Sequence, residues 1–231
     1  MSLPEYSDRF LDPAEAEGYR TKFQKSWLRR VSARREARLV GGALDAALAW
    51  LTARDGLPAT DRTLLDLPAG AGRFAPLAAG RVGRYLAGDR SPAMLALTRR
   101  ALADNGLTDR LIGVMEGDAR QLDLPADHVD LALCIRLLHH FPDRDDRIAI
   151  LSELRRVSRG PLVTTFLDRT APKQRRHLAR LARRGGSTRR VLVTPDQWHA
   201  EATTAGWHTE QTWHLSAQFS GHRVVLCTPQ D

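Results

Sequence analysis

The chain has 231 residues, a net charge of +8 at pH 7 and two cysteines. This length fits one domain, or one domain with an extension, and no apolar run approaches the roughly 20 residues of a membrane-spanning helix. The N-terminus is charged and has no apolar signal core. Cys134 and Cys227 are too few for a disulfide framework. We therefore expect a cytoplasmic protein whose cysteines are reduced and buried.

The N-terminal quarter of the chain has helical composition. Residues 1–12 resemble a leader, and Asp12-Pro13 is a helix start, because aspartate can cap a helix and proline is tolerated at its first position. The helical pattern then continues, with an interruption, to about Ala53. We expect residues 1–58 to form a helical extension or cap.

From residue 59 apolar strands alternate with helices, which predicts an α/β fold with a parallel sheet. The nearly continuous apolar run from Val129 to Ile135 is typical of a central strand that is buried on both faces. The last two strands are expected to form an antiparallel pair. The predicted strands are 63–67, 83–87, 111–115, 129–135, 162–167, 207–215 and 222–228, and the main predicted helices are 73–79, 91–105, 145–159 and 195–205.

The most informative segment is Leu-Leu-Asp-Leu-Pro-Ala-Gly-Ala-Gly, residues 64–72, together with Asp89 after the next strand. Gly70 and Gly72 lack a Cβ atom, so the backbone can turn sharply there and approach a ligand closely. A carboxylate at Asp89 can accept both hydrogens of a ribose diol. This arrangement predicts a nucleotide-type site at the carboxyl edge of the sheet.

Two kinds of nucleotide fit this site. Residues 70–75 match the dinucleotide fingerprint, which favours NAD. Asp66 argues against NAD, because a turn that binds pyrophosphate has no use for an anion. Asp118 follows the third strand, where it can meet an adenine amino group. Acids at three strand ends suit a ligand with an amine, a sulfonium, a ribose and an adenine but no phosphate, namely S-adenosylmethionine (SAM).

The chain resembles the class I SAM-dependent methyltransferases over roughly residues 60–230. The motifs that carry the resemblance are Leu-Asp-Leu-Pro-Ala-Gly-Ala-Gly-Arg-Phe, Gly-Asp-Arg-Ser-Pro-Ala-Met-Leu, Glu-Gly-Asp-Ala and Val-Asp-Leu-Ala-Leu-Cys-Ile-Arg-Leu-Leu-His-His-Phe. The Leu-His-His segment is closest to the type that acts on small molecules. One departure is Pro68, which stands where the family often has its first glycine and has no N–H to donate.

This resemblance implies a Rossmann-like sheet of seven strands with helices on both faces and an N-terminal helical cap. Residues 59–231 would then be the SAM-binding methyltransferase domain, with SAM as its cofactor. The residues implied in cofactor binding are Asp66, Gly70, Gly72, Asp89, Arg90, Met94, Asp118, Ala119 and Arg136.

His139 and His140 follow the fourth strand, where the transferred methyl group is expected, and they are the candidate catalytic residues. A histidine with a pKa near neutrality could remove a proton from a hydroxyl or an amine. We expect His140 to be the base, although it could instead only hold the loop. Adjacent histidines diverge on regular structure, so no metal site is expected.

Residues 20–38 and 173–190 are two basic segments, and their charge fits several kinds of partner. We expect the enzyme to act on a small molecule, at an oxygen or nitrogen nucleophile. The alternatives are an RNA or protein substrate that docks on the basic segments, an anionic membrane surface, an NAD-dependent reductase and a non-catalytic SAM-binding protein. The same segments could also be ordinary solvated surface.

Overall fold

The computed structural model describes Gly18 and residues 27–188, 190–216 and 220–230 of the chain. The predicted leader and the helix start at Asp12-Pro13 lie outside the described residues. The helices are α1 (Trp27–Asp55), α2 (Ala75–Ala79), α3 (Pro92–Ala103), α4 (Arg144–Val157), α5 (Pro172–Arg183) and α6 (Pro195–Thr204). The strands are β1 (Thr63–Asp66), β2 (Arg84–Asp89), β3 (Leu111–Glu116), β4 (Leu131–Cys134), β5 (Leu162–Leu167), β6 (Trp207–His214) and β7 (His222–Pro229).

These strands form one sheet of seven in the order β3-β2-β1-β4-β5-β7-β6. Strands β1 to β5 pair in parallel, while β7 runs antiparallel to β5 and β6. The strand order reverses direction between the neighbouring strands β1 and β4. In such folds, ligands bind at the carboxyl ends of the two strands where the order reverses. Because β7 is antiparallel, its first residue, His222, pairs with Leu167 at the end of β5 and lies at this same edge.

Helices cover both faces of the sheet because successive strand residues point to opposite sides. On one face, Leu64 and Leu131 belong to a hydrophobic cluster that includes residues of α1, α2 and α3. On the other face, Leu65 and Cys134 belong to a cluster with residues of α4 and α6. The predicted seven-stranded, Rossmann-like α/β fold is confirmed.

The N-terminal helix α1 is part of the layer over the first face. Its buried residues, from Val40 to Leu51, share a cluster with Val163 of β5 and Val224 of β7. Its earlier turns reach the carboxyl edge, where Glu36 is buried. The helix and the sheet thus share one core. The predicted division into an extension, residues 1–58, and a methyltransferase domain, residues 59–231, stays a prediction.

Several elements end earlier than the sequence pattern predicts, for local reasons. Helix α3 stops at Ala103 and is followed by Gly106, which has a positive φ of 67°. Strand β4 ends at Cys134, and Arg136 has a positive φ of 65°, a conformation that breaks an extended strand. Among the described residues, no helix is long and apolar enough to cross a membrane.

Candidate active site

The turn after β1 is built around two glycines in the left-handed region, with φ of 57° at Gly70 and 71° at Gly72. A Cβ atom at Gly72 would lie 2.7 Å from Cβ of Ala101 and 2.8 Å from Cα of Thr98, so this glycine lets α3 pack against the turn. A Cβ atom at Gly70 would meet nothing within 4 Å. The turn therefore leaves open space at Gly70, where a ligand can approach the backbone.

Asp89 connects this turn to the end of β2. Its Oδ2 accepts a hydrogen bond of 2.8 Å from the Gly70 N–H, and its Oδ1 accepts one of 2.9 Å from the Ser91 N–H. The hydroxyl of Ser91 caps α3 by accepting from the Met94 N–H, so Asp89 is not needed as the cap. Burial raises the pKa of Asp89, and its backbone hydrogen bonds oppose the rise. A diol can use the remaining lone pairs of this carboxylate.

Asp66, at the end of β1, lies beneath the turn with only 1% of its surface exposed. Its Oδ2 accepts a hydrogen bond of 2.6 Å from the Tyr85 hydroxyl. Burial raises the pKa of Asp66 to about 7, although the Tyr85 hydrogen bond opposes this, and the charge of Asp89 adds to the rise. Because Asp66 is buried, it is suited to orient the turn. Its charge could also attract the amine of a ligand without touching it.

Asp118 and Ala119 lie just beyond β3, as expected for an adenine site, but Asp118 already has a cation. Arg120 binds both oxygens of Asp118 and donates a further bond of 3.0 Å to Asp146. The hydrogen bond to Arg120 lowers the pKa of Asp118. Ala119 is buried and packs with the second core cluster. The Asp118 carboxylate is therefore ionised and held in place.

Arg90 and Met94, which the sequence places beside the adenine, differ in exposure. Arg90 is exposed, whereas Met94 is buried against Ala71 and Leu97 next to the glycine turn. Met94 therefore supports the turn through packing.

Arg136 takes part in an ionic triad around the buried carboxylate of Glu36, and this triad links three parts of the chain. Its Nε and Nη2 donate hydrogen bonds of 2.7 and 2.8 Å to the carboxylate of Glu36 on α1. Arg73, directly after the glycine turn, donates a third bond of 2.6 Å to Glu36. Burial alone would raise the pKa of Glu36, but the hydrogen bond and charge of Arg136 and the charge of Arg73 lower it to about 2.

Three histidines lie beside this triad. The ring centroids of His139 and His140 are 4.2 Å apart, and those of His139 and His222 are 6.3 Å apart. Within the described part of the chain, Nδ1 of His139 and Nδ1 of His222 are buried without a hydrogen-bond partner. The structure thus brings His222, from the far end of the sequence, to the predicted catalytic segment.

The pKa near neutrality expected of a histidine base is wrong for His139 and His140. Burial, followed by the charges of Arg190 and Arg136, lowers the pKa of His140 to about 4. Burial and the charge of Arg136 also lower the pKa of His222 to about 4, and burial lowers that of His139 well below its usual value. All three rings are therefore neutral at pH 7, and His140 is a weak base.

The sequence analysis did not identify Glu36, Arg73, Tyr85 or His222 as site residues. Glu36 was visible only as the one acid in a basic stretch, and Tyr85 and His222 carry no motif. Their roles depend on contacts between residues far apart in the chain, such as the 100 residues that separate Glu36 from Arg136. Among the described residues, no group of three or more metal-binding side chains is suited to hold a metal ion.

A segment after α5 closes one side of the histidine cluster. The Val191 N–H donates a hydrogen bond of 2.8 Å to the His139 carbonyl, and the Val193 N–H donates one of 3.0 Å to the Leu167 carbonyl. Arg190 immediately precedes this segment. The basic segment is therefore joined at its C-terminal end to the site that the glycine turn and β4 define.

Comparison with known proteins agrees with this geometry. A family described as a methyltransferase domain matches residues 64–160. The chain is similar to the solved structure of magnesium protoporphyrin IX methyltransferase from Synechocystis PCC 6803 with bound S-adenosylhomocysteine (SAH). The two share 18% identity and a TM-score of 0.74, over 97% of this chain and 98% of that chain. No protein of curated function matches the sequence.

Two further solved structures show how varied the activities on this fold are. A possible histamine N-methyltransferase from Thermotoga maritima shares 17% identity and a TM-score of 0.60, over 95% of this chain and 99% of that chain. The [4+2]-cyclase SpnF shares 14% identity and a TM-score of 0.59, over 80% of each chain. Likeness at this level of identity shows the fold and does not define the substrate.

The sheet order, the glycine turn and the acids at the strand ends define the class I SAM-dependent methyltransferase fold. Residues 64–160 match a family described as a methyltransferase domain. Together with the fold, this match supports a class I SAM-dependent methyltransferase whose cofactor is SAM, as the sequence predicts.

Proposed function

We propose that this enzyme transfers the methyl group of SAM to an oxygen or nitrogen nucleophile of a small molecule. The observation that carries the proposal is the position of the arginine and histidine cluster. This cluster lies after the end of β4 and at the start of β7, at the same edge of the sheet as the glycine turn. The reacting groups of such folds lie on the loops at this edge. The names of two structural neighbours, a magnesium protoporphyrin IX methyltransferase and a possible histamine N-methyltransferase, add support.

The described residues fit SAM in the way the family resemblance implies. The open space at Gly70 admits the ligand to the backbone of the turn. The Asp89 carboxylate would accept from the ribose, Asp118 and the Ala119 backbone would meet the adenine, and Arg136 would lie at the methionine end. When bound, SAM supplies a methyl carbon that is electrophilic because it is attached to a sulfonium.

His140 and His139 remain the candidates for contact with the acceptor. Because the pKa of His140 is lowered to about 4, we assign it the role of a neutral hydrogen-bond partner that orients the acceptor. Orientation of the nucleophile in line with the methyl carbon is itself a large part of catalysis in a displacement reaction. His139, with 4% of its surface exposed, would support the His140 ring from behind.

Transfer of tritiated methyl groups into a cell extract tests this proposal. The labelled products are separated into small molecules, RNA, lipid and protein. We expect enzyme-dependent label in the small-molecule fraction, and label confined to RNA or protein would contradict the proposal. The salt dependence gives an independent measure, because docking of a nucleic acid on several arginines weakens steeply with salt, whereas transfer to a small molecule does not.

A further inference from the structure

The first turns of α1 project beyond the carboxyl edge of the sheet. At this edge Glu36 contacts Arg136, whereas Arg54, close to the other end of the helix, donates a hydrogen bond of 3.0 Å to the carbonyl of Arg159, ahead of β5. The helix therefore runs from the carboxyl edge toward the amino edge. The residues before Glu36, 27–35, extend about 14 Å at the helical rise of about 1.5 Å per residue. None of the described side chains among them is buried, so this part of α1 reaches into solvent.

One face of this projecting part of α1 combines apolar side chains with arginines. Trp27 and Val31 have 66% and 44% of their surfaces exposed, and they are two of the four large apolar residues that are exposed in the described chain. Arg34 and Arg38 continue the same stripe along the helix, whereas Glu36 faces the core. The exposed basic residues of this face are Arg30, Arg34, Arg35 and Arg38.

Helix α5 adds a second cationic face at this edge. It follows the carboxyl end of β5, and its Gln174 lies so close to Gly221 that a Cβ atom on the glycine would be 2.6 Å from Cγ of Gln174. Gly221 immediately precedes β7, whose first residue lies at the carboxyl edge. Residues 172–184 include no acid. The exposed basic residues of the helix are Lys173, Arg175, Arg176, Arg180 and Arg183.

These charges do not stabilise their own helices. Arg34 lies one turn from both Arg30 and Arg38, and like charges at this spacing destabilise a helix. Arg176 and Arg180 have the same spacing in α5. The first turn of each helix contains no acid, although the helix dipole favours anions there. Within the described chain, the exposed basic side chains of these two faces form no ion pair, so both faces are suited to an extended anion outside the molecule.

We propose that the projecting face of α1 and the cationic face of α5 dock on the anionic surface of a lipid membrane. Trp27 and Val31 enter the headgroup region, and the arginines contact the lipid phosphates. The candidate site opens at the docked edge, so its acceptor side faces the membrane. This inference concerns binding alone and does not depend on the identity of the methyl acceptor.

The exposed apolar residues favour a membrane over a nucleic acid. Helices that lie in a membrane interface combine basic side chains with tryptophan and other apolar side chains. The apolar stem of an arginine can follow the same surface while its charge reaches the phosphates. The phosphates of a nucleic acid would satisfy the arginines, but they offer no apolar medium to Val31.

Sedimentation of the full chain with lipid vesicles tests this proposal. The vesicles are phosphatidylcholine alone, or phosphatidylcholine with about 30% phosphatidylglycerol, in about 0.1 M salt. We expect at least about tenfold tighter binding to the anionic vesicles, and weaker binding as the salt concentration rises. Absence of binding to the anionic vesicles overturns the proposal.

Two double variants separate the apolar contribution from the electrostatic one. Trp27→Gln with Val31→Gln should weaken binding to the anionic vesicles at least about fivefold, because two apolar groups no longer leave water. Arg34→Gln with Arg38→Gln should weaken it about tenfold or more. Thermal unfolding checks that each variant is folded. Vesicle binding that Trp27→Gln with Val31→Gln leaves unchanged overturns the proposed insertion.

The matched control is Arg99→Gln with Arg100→Gln, which removes two exposed charges from α3 and should change vesicle binding less than about twofold. An equal loss in this control and in the α1 arginine variant would show an effect of net charge alone and overturns the assigned face. A mixed-sequence single-stranded RNA is tested in the same buffer. RNA binding without vesicle binding would identify a nucleic acid as the partner and overturns the membrane.

Discussion

Gly70 and Gly72 share a positive φ but have different surroundings, and this difference separates ligand binding from folding. An alanine at either position pays a backbone strain of about 1–2 kcal/mol. At Gly72 the new Cβ would also collide with Ala101 and Thr98 of α3. At Gly70 it would project into the open space where we place the cofactor.

We therefore predict that Gly72→Ala lowers the free energy of unfolding by at least about 2 kcal/mol more than Gly70→Ala does. Gly70→Ala should instead lose most of its affinity for SAH. Urea denaturation and calorimetry on the same preparations measure the two effects. Equal losses of stability in the two variants, with no loss of SAH affinity in Gly70→Ala, would be evidence against this position of the ligand.

The pH dependence of catalysis distinguishes a neutral His140 from a base with an ordinary pKa. Because burial and nearby arginines lower the pKa of His140 to about 4, the ring is already deprotonated above roughly pH 5.5. We predict that His140→Asn lowers kcat roughly tenfold, and that any change in kcat/KM between about pH 5.5 and 8 is the same in this variant and in the wild type. A wild-type rise through pH 6.5 that disappears in His140→Asn would instead identify His140 as a base.

Asp66 should make the protein less stable as pH rises. Its pKa is raised in the folded state, to about 7 from an ordinary 3.8, so the folded protein binds a proton that the unfolded chain has released. Stability from this group is present below about pH 4 and is lost as pH rises toward 7. Asp66→Asn keeps an acceptor for the Tyr85 hydroxyl but cannot ionise.

We predict that the stability of Asp66→Asn relative to wild type increases between pH 4.5 and 8, by at most about 4 kcal/mol. Chemical denaturation of both proteins at the two pH values measures this, and the opposing contribution of the histidines cancels in the comparison. A difference that does not change with pH would show that Asp66 is ionised throughout this range.

At the scale of the elements, α5 stands apart from the other helices because it contains no buried residue. Its lysine and arginines are exposed, and Leu178 and Leu181 are only partly buried. This exposure follows from the sequence of the helix, which has arginines around most of its circumference. The helix lies between the end of β5 and the segment that contacts His139, so it borders the acceptor side of the site.

We predict that limited trypsin digestion cuts within residues 173–184 before it cuts after Arg99 or Arg100, among the sites between residues 27 and 230. Both groups of arginines are exposed, but α3 contributes buried residues to the core and α5 does not, so α5 can open locally at lower cost. Mass spectrometry of the first fragments identifies the site. Earlier cleavage in α3 would show that α5 is held as firmly as the packed helices.

Elements were predicted well where their signals are local. The period of apolar residues located β1 to β7, and Gly106 and Pro195 marked helix ends because their effects act within one turn. The end of β4 was missed by one residue because the positive φ of Arg136 depends on Glu36 and Thr165, which lie far away in sequence.

At the scale of the whole molecule, the cofactor side of the site follows from local sequence signals, whereas the acceptor side depends on contacts between distant segments. Asp66, Gly70, Gly72, Asp89 and Asp118 follow strand ends, so a parallel sheet brings them together and the sequence could predict them. The acceptor side could not be predicted in this way, because it forms where α1, the glycine turn, β4 and β7 converge. Its triad of Glu36, Arg73 and Arg136 and its neutral histidines are properties of that convergence.

Calorimetric titration with SAH is the measurement that tests the central claim most directly. We predict that the wild-type protein binds SAH and does not bind NADH, and that Asp89→Ala weakens SAH binding by about 1–3 kcal/mol, the scale of lost hydrogen bonds to a carboxylate. Asp109→Ala, which removes an exposed acid next to β3, is the matched control and should bind SAH as wild type does. Failure of the folded wild-type protein to bind either SAM or SAH would contradict the account of this site as that of a SAM-dependent methyltransferase.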